Sequence, residues 1–239
     1  MYHNLLFDLD QTLLDFHASE HAALRFVMGQ NDQAFTEERY AFFKQTNKNL
    51  WLEFEKGNIT KPELFQTRFR ILFASCGCDT GKMNLAAIND AFIDHMSQNG
   101  VLLDGAPDCL EKITGSIPDA RCYIITNGAE RNALGRIHST GLDRFLSGVF
   151  VSETMGTAKP APEFFEIVRQ EIGEPDESYL VIGDSLTSDM LGAKNAGLAS
   201  CWFMPEGDIP GAMAEYGIRY TASSFDALLE VIRKWAGIS

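Results

Sequence analysis

A set of short, continuous apolar runs with one long gap in it dictates the fold of this chain. Asn4-Leu5-Leu6-Phe7, Cys122-Tyr123-Ile124-Ile125, Gly148-Val149-Phe150-Val151 and Tyr179-Leu180-Val181-Ile182 read as strands, and Ser200-Cys201-Trp202-Phe203 as a fifth. A strand that is apolar at consecutive positions is covered on both faces, as in a parallel sheet. Helical patterns over about 130–140, 161–172 and 188–196 separate the later runs. This alternation predicts an α/β fold with a doubly wound parallel sheet. The first run breaks the rhythm, because the next strand lies more than a hundred residues further on.

The gap reads as helix throughout. Phe35, Tyr40, Phe43, Leu50, Trp51 and Phe54 recur at near-helical spacing. Gly57-Asn58 gives a stop, and Thr60-Lys61-Pro62-Glu63 gives an N-cap with Glu at the third helical position. Leu64, Phe65, Phe69, Leu72 and Phe73 continue the next stripe. Such stripes suit the core of a helix bundle. The expected organisation is an α/β core over 1–16 and 98–239, interrupted by an all-helical insertion over 17–97. The core resumes near Val101-Leu102-Leu103, with Pro107 opening a helix.

At 239 residues the chain can bury a substantial core without disulfide or metal staples. Its charge sum, 20 − 33 = −13, makes nucleic-acid backbone and anionic membrane poor partners. An anionic substrate would need a local Lys or a divalent metal to attract it. Cysteines stand at 76, 78, 109, 122 and 201, an odd number. The close pair Cys76-Gly77-Cys78 has neither zinc nor redox spacing, so reduced thiols serving as small apolar residues are expected. The N-terminus runs from an apolar strand straight into Asp8, and no apolar run approaches the roughly 20 residues of a membrane span. A cytoplasmic location is expected.

Four segments carry chemistry. Asp8-Leu9-Asp10-Gln11-Thr12 follows the first strand directly. Residues two apart in extended backbone point to one side, so two carboxylates should converge at a strand end. Like charges that close call for a cation, and a hard divalent ion such as Mg²⁺ suits oxygen ligands. A solvated acidic loop has the same pattern. Gly183-Asp184-Ser185-Leu186-Thr187-Ser188-Asp189 brings two more carboxylates to a second strand end, although Asp189 also suits a helix cap. Ile124-Ile125-Thr126-Asn127-Gly128 ends a strand in a hydroxyl, an amide and a glycine, which fits anion binding or a simple turn. Lys159 sits among Pro160 and Pro162 ahead of a helix, on a rigid approach or simply on the surface.

Together, an Asp pair, a Thr, a Lys and a second Asp pair occur in order, three of the segments at predicted strand ends. This set resembles the haloacid dehalogenase (HAD) superfamily of aspartyl-phosphate hydrolases. That family's signature is Asp-x-Asp-x-Thr, a Ser or Thr ending a strand, a Lys before a helix, and Gly-Asp-x-x-x-x-Asp. Asp8 to Thr12, Thr126, Lys159 and Gly183 to Asp189 fill every position. The insertion looks like the family's C1 cap. The resemblance implies that Asp8 is nucleophile and Mg²⁺ ligand, and that Asp10 is general acid–base with a ligating backbone carbonyl. It implies that Thr126, Leu9, Asn127, Gly128 and Lys159 surround the phosphoryl group. Asp184 would complete the metal site with Asp189 as outer support. Dehalogenases of this fold lack the second carboxylate and need no metal, so Asp10 argues against dehalogenation. A phosphomutase and a non-catalytic binding module are the remaining classes, and the filled catalytic set argues against the latter.

A narrower resemblance lies in Thr46-Asn47-Lys48-Asn49-Leu50-Trp51, Gly57-Asn58-Ile59-Thr60, Arg68-Phe69, and Gly192 to Leu198 running on to Cys201-Trp202. These look like the house-cleaning pyrimidine 5′-nucleotidases. The substrate implied is a nucleoside 5′-monophosphate such as dUMP, dTMP or UMP, rather than phosphoglycolate or a sugar phosphate. Asn47, Trp51 and Arg68 are then the cap residues for specificity, with Phe43 and Phe54 as further aromatic surface. The same residues also suit cap core. The sequence leaves monomer and weak homodimer open.

Overall fold

The computed structural model of the protein describes residues 2–203 and 211–238. The chain forms two compact units, His17–Asn99 and Met1–Phe16 with Gly100–Ser239. The helical unit holds α1 (Phe16–Gln30) from its second residue on, α2 (Glu37–Glu55), α3 (Lys61–Ser75) and α4 (Leu85–Gln98). Thr36 caps α2 by accepting the Arg39 N–H. Thr60 caps α3 in a reciprocal box: its hydroxyl accepts the Glu63 N–H, and the Glu63 carboxylate accepts the Thr60 N–H. The rings of Phe43, Phe69 and Phe92 meet pairwise at centroid distances of 5.4–5.9 Å in the unit's interior. Their α2, α3 and α4 stripes face one another, which is what amphipathic helices require to bury apolar surface.

The α/β unit holds β1 (His3–Phe7), β2 (Ala120–Thr126), β3 (Leu146–Val151), β4 (Tyr179–Gly183), β5 (Ala199–Phe203) and β6 (Tyr220–Ala222). They form one sheet in the order β3-β2-β1-β4-β5-β6, every neighbouring pair parallel. Its helices are α5 (Ala106–Ser116), α6 (Glu130–Thr140), α7 (Ser152–Met155), α8 (Pro162–Ile172), α9 (Leu191–Ala196), α10 (Ala212–Tyr216) and α11 (Phe225–Trp235). Alternate strand residues feed two cores. Leu5, Phe7, Ile124, Leu180 and Ile182 pack with Leu110, Ile113, Leu228 and Ile232 of α5 and α11. Leu6, Ile125 and Val181 pack with Phe164, Phe165 and Val168 of α8. Both faces are covered, hence the unbroken apolar runs.

The five expected strands are present, each with its start within two residues of the expectation. β6 is an additional strand of three residues at the sheet edge, too short to carry a hydrophobic period. The helix expected from about 188 begins as a single π-turn over Leu186–Met190 and continues as α9. All five cysteines are free thiols, and burial pushes Cys109, Cys122 and Cys201 up to about 12. Among the described residues no helix is long and apolar enough to cross a membrane.

Candidate active site

The strand order reverses between β1 and β4, and the loops at the carboxyl ends of such strands form the natural crevice of a doubly wound sheet. Asp8 follows β1 and is pinned by its N–H to the Ile182 carbonyl of β4 at 2.8 Å. Thr126 ends β2, and its hydroxyl accepts the Gly128 N–H at 3.0 Å. Asp184 follows β4. Leu9 is fully buried, and its carbonyl accepts the N–H groups of both Leu13 and Leu14, which turns the chain sharply after the strand.

Lys159 is the hub. Its ammonium donates to Asp8 Oδ1 at 2.6 Å, Asp189 Oδ1 at 2.6 Å and the Ile125 carbonyl at 2.8 Å, so all three protons are used. It is 1 % exposed. Burial alone would lower its pKa, but Asp189 and Asp8 overcome that and hold it above its ordinary value. Asn127 clamps the Lys159 loop from both sides: its amide donates to the Lys159 carbonyl at 2.7 Å and accepts the Lys159 N–H at 2.9 Å. The side chain expected beside a phosphoryl group is therefore engaged in setting the lysine's backbone.

Asp8, Asp184 and Asp189 each present one carboxylate oxygen, all within 4.8 Å of one another. Asp189, expected in outer support, stands in this cluster. The π-turn delivers it, with its second oxygen accepting the Ser185 N–H at 3.1 Å. Gly183 makes the approach possible: a Cβ there would lie 2.2 Å from Asp189 Oδ2. Burial pushes Asp8 up to about 7 against the pull of Lys159, with Asp189 and Asp10 adding to the rise. Burial, then Asp8 and Asp189, also push Asp184 well above the ordinary carboxylate range. Three carboxylates against one ammonium leave two formal negative charges, and the donors are all hard oxygens. A divalent ion of the Mg²⁺ type fits both the charge and the donor set. Trp202 donates its indole N–H to the Asp184 carbonyl at 2.8 Å, bracing that strand end.

The Asp10 carboxyl lies outside the three-carboxylate cluster. Period-two alternation ends with β1 at Phe7, because the chain turns at Leu9 and Gln11 takes a left-handed φ of 60°. Asp10 instead receives Arg136 of α6, Nη1 to Oδ1 at 2.5 Å and Nη2 to Oδ2 at 3.1 Å. Arg136 lies outside all four chemistry-bearing segments of the sequence. Its signal was a charge between Ala133 and Ile137 on the buried stripe of α6, a place where a cation must find an acid.

In the helical unit, Asn47 and Arg68 are 4 % and 2 % exposed. Asn47 donates to Glu20 at 2.8 Å, and Arg68 donates to Asn89 at 2.6 Å. Phe43, expected as surface, is fully buried among Phe69 and Phe92; bulk apolar side chains on the stripe fill the bundle before they serve anything else. Trp51 and Phe54 stay half-buried, edge to face at 5.6 Å.

A parallel sheet with a lysine-bridged carboxylate cluster at its switch point is the architecture of a hydrolase class. The chain belongs to the haloacid dehalogenase-like hydrolases, whose family profile matches residues 2–197. In particular, it is 36% identical over 221 residues to the HAD-hydrolase YfnB of Bacillus subtilis, covering 91% of this chain and 92% of the relative. A magnesium-bound crystal structure of YfnB superposes with a TM-score of 0.86 at 33% identity, over 97% of this chain and 99% of that one. The pyrimidine 5′-nucleotidase PynA of Streptococcus pneumoniae is 38% identical, covering 85% of this chain and 84% of the relative. The pyrimidine 5′-nucleotidase YjjG of Escherichia coli is 32% identical, covering 96% and 97%.

Proposed function

We propose that this phosphomonoester hydrolase is a Mg²⁺-dependent nucleoside 5′-monophosphate phosphatase that prefers pyrimidine nucleotides and works through a phosphorylated Asp8. The observation that carries the chemistry is the Asp8 carboxylate, bonded to the Lys159 ammonium beside Asp184 and Asp189 at the end of β1.

Asp8 attacks phosphorus, and the ester oxygen leaves as an alkoxide that needs a proton. Asp10 supplies it, then takes a proton from the water that hydrolyses the acyl phosphate. Lys159 neutralises charge on the phosphoryl oxygens, and Thr126 with the Asn127 and Gly128 backbone orients them. Asp8, Asp184 and the Asp10 carbonyl would hold the Mg²⁺, which supplies further neutralisation of the transferring group. The α/β residues act only on the phosphate ester, so base recognition is assigned to the helical unit as the cap. Trp51 offers half-buried indole surface for stacking, while Asn47 and Arg68 organise the helices beneath it.

Support for the substrate comes from PynA and YjjG, both named pyrimidine 5′-nucleotidases. The test is kcat/KM across dUMP, dTMP, UMP, AMP, phosphoglycolate and a hexose phosphate, with and without Mg²⁺. Pyrimidine monophosphates should lead, and chelator should silence every reaction. A tenfold lead for phosphoglycolate or a hexose phosphate overturns the nucleotidase reading and spares the phosphatase. Full rates in chelator overturn the metal.

A further inference from the structure

Arg136 belongs to none of the four catalytic segments, yet it is fully buried, with both terminal nitrogens on the Asp10 carboxyl. A guanidinium fork on a carboxylate fixes the plane and direction of the acid as well as its distance, which a lysine cannot do. The fork is itself held. Arg136 Nε donates to the Asn132 carbonyl one turn earlier at 3.4 Å, and its guanidinium carbon lies 5.6 Å from the centroid of the Phe16 ring. The Asp10 carboxyl thus inherits the rigidity of α6, although it sits on the loop after β1.

Its direction is informative. A Cβ built on Gly128 would lie 3.8 Å from Asp10 Oδ2 and 3.2 Å from Thr126 Oγ1. The Asp10 carboxyl therefore borders the same small volume as the Thr126 hydroxyl. A carboxylate has about four lone-pair sites, and the fork occupies two of them. No other side-chain bond to the Asp10 carboxyl is made among the described residues, which leaves two sites for a leaving-group oxygen or a water.

We infer that Arg136 is a positioning residue for proton transfer: it aims the Asp10 carboxyl at the space beside Thr126. The inference rests on Asp10 being the acid–base of the proposed reaction.

The experiment compares Asp10→Asn, Arg136→Met, Arg136→Lys and the Asp10→Asn/Arg136→Met double variant on UMP and on p-nitrophenyl phosphate, whose leaving group needs little protonation. Arg136→Met should lower kcat on UMP about 10- to 100-fold with KM within about threefold, and lose less than about fivefold on the nitrophenyl ester. Arg136→Lys, which keeps the charge without the fork, should fall between Arg136→Met and the parent. The double variant should be within about threefold of Asp10→Asn, since residues acting as one unit do not multiply their losses. Equal losses on both esters, a change in KM alone, or multiplied losses overturn the inference. If Arg136→Met fails to fold by circular dichroism, Arg136→Lys decides on the same panel. A large loss in Asp10→Asn with none in either Arg136 variant sinks the inference alone. A parent that turns over neither ester sinks the reaction it rests on, and the inference with it.

Discussion

Each unit of the protein buries an arginine, and the two are used in opposite ways. Arg136 in the α/β unit meets a carboxylate directly, through two parallel N–H bonds. Arg68 in the helical unit meets amide oxygens, Asn89 at 2.6 Å and Asn47 at 3.5 Å, and the faces of Phe43, Phe65, Phe69 and Phe92. Burial lowers Arg68 to about 10, with Glu20 opposing the drop. Glu20 lies on α1, Asn47 on α2, Arg68 on α3 and Asn89 on α4, so this one network touches every helix of the bundle. A cation forked onto an acid fixes the direction of that acid. A cation wrapped in rings and amides joins helices. In the proposed reaction the charges of one unit serve turnover, while those of the other hold a scaffold together.

The largest effect expected from this contrast is on Asp8. Asp8→Asn should remove turnover by about four orders of magnitude or more, because an amide cannot form the acyl phosphate. Its melting temperature should hold or rise, since a crowded carboxylate has gone. Rapid acid quenching with labelled substrate should trap phosphate on the parent and none on the variant. Activity within tenfold of the parent would take the nucleophile away from Asp8.

Arg68→Ala should do the reverse. It empties a large buried volume and strands the Asn89 amide, a loss of roughly 2–4 kcal/mol of stability. Per folded molecule, kcat on p-nitrophenyl phosphate should stay within about threefold. An unchanged melting temperature with a raised KM for nucleotides would reverse the contrast and put Arg68 in contact with substrate.

The smallest effect concerns ion and proton at one cluster. Asp8 is raised to about 7 in the metal-free fold from an unfolded value near 3.9. The folded state then binds more protons than the unfolded one between those values, so metal-free stability falls as pH rises through about 7. Mg²⁺ needs the ionised carboxylates, so its stabilisation should grow over the same interval. At tenfold over its dissociation constant the gain is about 1.4 kcal/mol. Thermal melts at pH 5 and pH 8, with and without Mg²⁺, measure it. An equal gain at both pH values would locate the ion away from Asp8 and Asp184.

Legibility followed the same division. The central strands announced themselves because both faces of the sheet are covered, leaving no polar alternation to confuse them with loops. β6 pairs only at the edge, through three residues, and had no pattern to show. Thr60 and Glu63 were readable because a capping box is local in sequence. The Asp10–Arg136 pair spans 126 positions, and no periodicity reports a partner at that distance. The π-turn was hidden for a different reason: it goes with the close approach of Asp189 to Gly183, which is a matter of packing and not of propensity. Within the helical unit the aromatic stripes were visible, but which rings face inward depends on three helices at once.

The indole of Trp202 bonded to the Asp184 carbonyl gives this protein an optical handle. The sequence holds three tryptophans: Trp51 in the helical unit, Trp235 at the end of α11, and Trp202, which is 4 % exposed and shares a strand end with the carboxylate cluster. Indole emission shifts in wavelength and yield with the local electric field. With Trp51 and Trp235 replaced by phenylalanine, the emission of the remaining fluorophore should change as the cluster gains charge or an ion, without substrate, label or turnover.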